Sequence, residues 1–215
     1  MENDVKLKFE VINKLFKSNT STKMFFESFS IFLPSKKKIG RIFVVIFLAI
    51  IPSTIISLQQ ETIVLFSNIS EMVLDLMLAL FGVVFTGYAI FQAILNETML
   101  LKMVENTVKT KNGEESLLQN TNTSFVNLMM LIIALIVCSF FLKITVGNLP
   151  TSFVLFETPK LNEFFSIFLI TGYLAYTFTV LYEIKCFVFN IAQLFNAYSG
   201  ARIIEIIEKH RRENK

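Results

Sequence analysis

The chain has 215 residues, of which 53% are apolar and only 17% charged, with a formal net charge of +3. A soluble domain carries about 25% charged residues. Here the shortfall is confined to four stretches of about 20 residues, each long enough at about 1.5 Å per residue to cross the ~30 Å core of a bilayer. This excludes an ordinary soluble enzyme, and four spans are too few for a large transporter.

In chain order, residues 1–38 form a cytoplasmic amphipathic or interfacial region. Val5, Phe9, Ile12 and Phe16 share one helical face, flanked by Lys6, Lys8, Lys14 and Lys17. A Phe-rich segment, 21–33, follows and is stopped by Pro34. This basic amphipathic pattern suits either a membrane surface or packing on the protein's own helices. Lys36, Lys37, Lys38 and Arg41 then form a basic cluster at the membrane surface, before and just within the first span, 39–58. The remaining spans are predicted at about 72–95, 125–146 and 164–182. Helices satisfy their backbone internally in lipid, and the alternation of a barrel strand is missing.

The fold class is accordingly all-α: a polytopic membrane protein with a four-helix domain over 39–199 and a charged tail over 200–215. The second span has no breaker at its inner end, and the pattern predicts helix onward to a turn at Asn112-Gly113. The fourth continues to about Ser199, with a break at Gly200, and the tail pairs Glu205 with Lys209 and Glu208 with Arg212 at i, i+4.

Of the 20 Lys and Arg residues, 18 lie in 1–41, 96–124 and 183–215; the exceptions are Lys143 and Lys160. Cytoplasmic loops retain basic residues. The expected location is the inner cell membrane, multi-pass, with both termini cytoplasmic and a nearly bare outer face. The basic inner face is expected to meet anionic lipid headgroups.

The most specific pattern lies in the second span. Asp75, Ala79, Gly82, Thr86, Ala89, Ala93 and Asn96 follow each other at spacings of three and four, all small or polar. Such a stripe lets helices approach closely in lipid, within one chain or between copies, so a homo-oligomer is expected. Asp75 and Lys143 fall at similar depth on antiparallel spans and are read as an intramembrane ion pair that holds two helices in register, with two side chains snorkelling separately or an ion or proton path as the alternatives. Glu183 and Lys185 sit at the inner boundary.

Catalytic and metal chemistry find no seat. The single histidine is His210, in the tail, and none of the seven glycines forms a phosphate loop. Cys138 and Cys186 lie at different depths and read as apolar fillers. The expectation is a non-enzyme without cofactor and without nucleic-acid partner.

The layout resembles the small four-span membrane subunits of bacterial anti-phage defence systems, Kiwa among them, in size, in having both termini inside, in the bare outer face and in the long cytoplasmic helices. The resemblance implies a membrane sensor or pore-forming effector that works with a soluble cytoplasmic partner, and it carries over no site residues. The alternative from the residues alone is a small constitutive ion or solute channel or transporter.

Overall fold

The computed structural model describes residues 20–32, 39–110 and 113–213. The N-terminal amphipathic segment and Lys36, Lys37 and Lys38 lie outside them. Six α-helices and a short hairpin follow in order: α1 (Ser21–Ser28) with a 3-10 turn at Phe29–Phe32, α2 (Ile39–Ser57), α3 (Thr62–Ile94), α4 (Glu97–Glu105), β1 (Thr107–Thr110), β2 (Gly113–Ser116), α5 (Leu117–Gly147) and α6 (Pro159–Glu213). The protein is essentially all-helical, and α2, α3, α5 and α6 are each long and apolar enough to cross a membrane. Their outward faces carry Phe43, Phe47, Leu48, Val83, Phe140, Phe141, Phe164 and Phe168, all exposed. Water does not tolerate apolar surface on that scale, whereas hydrocarbon does.

Several element boundaries differ from those expected. The connection between the first two spans is only 58–61, because α3 begins at Thr62, where the Thr62 hydroxyl donates to the carbonyl of Gln59 at 2.7 Å. The expected helix toward Asn112 is interrupted. α3 ends at Ile94, Asn96 accepts from the Met99 amide at 2.8 Å as the cap of α4, and β1 pairs antiparallel with β2 from Thr107–Ser116 to Thr110–Gly113. Thr107, Val108 and Thr110 are β-branched and Asn112-Gly113 follows in the sequence, a pattern that overrides helix continuity. At Gly200 no break occurs: α6 runs unbroken through it for 55 residues, about 80 Å.

The described residues divide into two compact units. The first comprises 21–85 and 127–183. Its core is built from one face of each long helix: Ala49, Ser53 and Ile56 of α2; Phe66, Ser70, Val73, Met77 and Val84 of α3; Leu128, Leu131, Ile132, Leu135 and Ser139 of α5; Ile170, Tyr173, Leu174, Thr177 and Val180 of α6. Four buried hydroxyls are small enough to allow close approach and are satisfied by the carbonyl one turn back: Ser53 on Ala49, Ser70 on Phe66, Ser139 on Leu135 and Thr177 on Tyr173, at 2.6–3.0 Å. The hydroxyl oxygens of Ser57 and Thr171, by contrast, are buried without a partner among the described residues. The hydroxyls of Ser139 and Tyr173 share a hydrogen bond of 2.8 Å that joins α5 to α6.

The second unit, within the described residues, comprises 86–126 and the chain from Ile184 onward. Phe125 is its hub, with ring centroids 5.1 Å from Tyr88, 5.1 Å from Phe91 and 4.8 Å from Phe187. Beside it the Tyr88 hydroxyl donates to Asn122 Oδ1 at 2.8 Å. Gly87 lets α6 come close: a Cβ there would lie 3.0 Å from the Ile191 side chain.

Interhelical hydrogen bonds in membranes are worth about 0.6 kcal/mol on average. Tyr173→Phe should therefore lower stability in detergent by about that much. Leu131→Ala, which empties a fully buried site on α5, should cost several-fold more, of order 2–5 kcal/mol. Thermal unfolding followed by circular dichroism measures both.

Candidate functional site

The sharpest polar constellation of the first unit joins the start of α2 to α6. Arg41 Nη1 donates to Glu183 Oε1 at 2.8 Å, although 142 residues separate them in sequence. The guanidinium also lies 4.8 Å from the centre of the Tyr182 ring. With only 23% and 18% of their side-chain surfaces exposed, both ions are largely withdrawn from solvent. Neither would be tolerated alone there: an uncompensated ion costs several kcal/mol in a low-dielectric setting, while a paired, hydrogen-bonded one with an aromatic face against it does not. Arg41 was expected as a basic residue at the membrane surface and Glu183 as an inner-boundary polar group. Their pairing was missed, although both had been assigned to one depth on one side. Lys185, two residues on, is exposed.

A groove of about 340 Å³ opens next to this pair. Ile42, Val45 and Ile46 of α2 form one wall, Gly172, Ala175, Tyr176 and Thr179 of α6 the other, and Arg41 and Phe29 also line it. The Phe29 ring lies 6.2 Å from that of Tyr176. Polar atoms of the walls are already engaged: Thr179 donates to the Ala175 carbonyl at 2.8 Å, and Tyr176 to that of Leu131 at 3.0 Å.

The expected Asp75–Lys143 pair is corrected. Lys143 donates instead to Glu71, one helical turn before Asp75. The early start of α3 brings Glu71 into the helix, and its longer side chain lies nearer the helix end toward which a lysine extends its ammonium. Asp75 is exposed.

The small-residue stripe is not the face through which α3 packs inside its own chain. Asp75, Ala79, Gly82, Thr86, Ala89, Ala93 and Asn96 are all exposed, and a Cβ added at Gly82 would meet nothing within 4 Å. The buried face of α3 carries Val73, Met77 and Val84. Each lies two residues from a stripe member, about 200° around the helix, and so on the opposite side. Asn96 lies beyond the end of α3 and serves as the cap of α4. No cluster of three metal-ligating side chains occurs among the described residues. No family model, curated protein or solved structure matches this chain.

Removing one member of the Arg41–Glu183 pair should destabilise more than removing both. Arg41→Ala and Glu183→Ala are each expected to cost about 1–2 kcal/mol, since the sites are partly exposed, with the double variant falling well short of their sum. A double-mutant cycle on thermal stability in detergent reads the coupling; strict additivity would show that the two do not interact.

Proposed function

We propose that this chain is an integral protein of the inner cell membrane, with both termini cytoplasmic, that assembles with further copies of itself and acts as a membrane sensor or pore-forming effector. The observation that carries the proposal is the exposure of Asp75, Ala79 and Gly82 on a helix otherwise apolar enough to span the bilayer. A carboxylate facing acyl chains costs roughly 2.5–3.5 kcal/mol at the bilayer centre and less toward its edge, and a small-residue face leaves shallow packing with lipid. Both costs fall when the same stripe of a neighbouring copy covers it.

A passage through the centre of one chain is disfavoured. Met77, Leu131, Ile132, Leu135, Ile170 and Val180 fill the middle of the first unit and are fully or almost fully buried. Polar lining is available on the exposed face of α3 instead, so water and ions would cross between copies. This favours a regulated assembly over a constitutive single-chain transporter. The layout resemblance to defence subunits adds a bilayer-disturbing role and a soluble partner. The parts of α3 and α6 that exceed bilayer thickness, with α4 and the hairpin, supply cytoplasmic surface for that partner.

Because a Cβ at Gly82 has open space within the chain, Gly82→Leu should leave the folded yield unchanged and reduce in-membrane crosslinking through α3. Val83→Leu, also on an exposed position, should leave crosslinking intact. Induced expression with a membrane-potential dye then tests function: depolarisation confined to a trigger supports the effector, and a steady substrate-dependent flux opposes it. Unchanged crosslinking in Gly82→Leu would remove the stripe as the assembly face.

A further inference from the structure

We propose that the groove between α2 and α6 is a binding site for one anionic phospholipid, with the phosphate at Arg41 and one acyl chain lying along the groove. The inference rests on the chain spanning a membrane but not on its self-assembly. Along α6 the groove runs from Thr179 to Gly172, a rise of seven residues or about 10 Å. That is about two thirds of a single leaflet, which is half of the ~30 Å hydrocarbon core. Its volume of about 340 Å³ lies within the range of about 300–1,000 Å³ usual for ligand pockets.

The chemistry is divided along that length as a phospholipid requires. Below the mouth the walls are Ile42, Val45, Ile46, Gly172 and Ala175, and the hydroxyls of Thr179 and Tyr176 are turned onto backbone carbonyls. Nothing there offers a polar ligand a partner. At the mouth stands Arg41, which lines the groove while a single donor of its guanidinium is committed to Glu183. A guanidinium carries five N–H donors in a fork matched to phosphate oxygens. The pair with Glu183 and the Tyr182 face hold that fork in place. A basic side chain such as Arg41 at an anionic surface favours an anionic headgroup over a zwitterionic one.

Native mass spectrometry of the full chain, released from micelles containing equal phosphatidylglycerol and phosphatidylethanolamine, tests the site. One phosphatidylglycerol per chain should be retained, preferred about fivefold, the factor a single basic side chain contributes at an anionic surface. Gly172→Phe should remove that bound lipid, because a Cβ at Gly172 meets nothing within 4 Å and the ring can occupy the groove without disturbing the helices. The double variant Arg41→Gln with Glu183→Gln, which leaves no lone charge, should still hold a lipid while losing the preference. Equal retention of both lipids by the unaltered protein, or full retention in a Gly172→Phe chain of unchanged helix content, would overturn the proposal. Recovery of the chain in the soluble fraction would overturn the membrane reading itself, a result that lipid retention does not mimic.

Discussion

Hydrocarbon offers no hydrogen bonds, so backbone polar groups that enter it must find partners within the protein, and a side chain left without one is costly. That constraint shapes the backbone into four long helices and also decides which side chains stand between them. Serine and threonine occupy the tight points of the core because they can return their proton to a carbonyl of their own helix, as Ser53, Ser70, Ser139 and Thr177 do. Once so satisfied they behave as small residues, and the apolar side chains around them close the remaining space. Tyr173, which bridges α5 and α6, is admitted to that core because its hydroxyl is hydrogen-bonded to that of Ser139.

Charges obey the same constraint at higher stakes. Glu71 with Lys143 and Arg41 with Glu183 each tie two of the long helices, and the two pairs differ in their surroundings. The first is a third to a half exposed and contributes little beyond register. The second is largely withdrawn and supported by an aromatic ring, so it fixes the geometry of the groove mouth beside it. A lone arginine would turn outward; a paired one is held ready for a ligand.

Much of this was legible in the sequence. Charge-poor stretches of about 20 residues identify the four helices, because length and apolarity suffice for that. The expected partner of Lys143 was Asp75, and the structure pairs the lysine with Glu71 one turn earlier. The choice between Glu71 and Asp75 turned on where α3 begins, a turn of helix that apolarity does not reveal. The hairpin at 107–116 was signalled by β-branched Thr107, Val108 and Thr110 ahead of Asn112-Gly113, a cue that the reading of continuous helix passed over. Periodicity found the stripe from Asp75 to Ala93 but not its setting: small residues mark close approach in general, and the intrachain contacts went to the opposite face, where serine performs the same task. Arg41 and Glu183, so distant in the chain, carried no local signal beyond their shared depth.

The exposed stripe of α3 is what connects this fold to the proposed function, since it lies on a helix apolar enough to span a membrane and no helix among the described residues covers it. Nitroxide labels placed singly from residue 72 to residue 85 in vesicles, with oxygen accessibility measured at each, test this most directly. Packing against another copy requires low accessibility on both sides of the helix, at 73, 77 and 84 and again at 75, 79 and 82, with maxima between them. Accessibility at 75, 79 and 82 as high as at the flanking lipid-facing positions would show that the stripe faces acyl chains and that no second copy covers it.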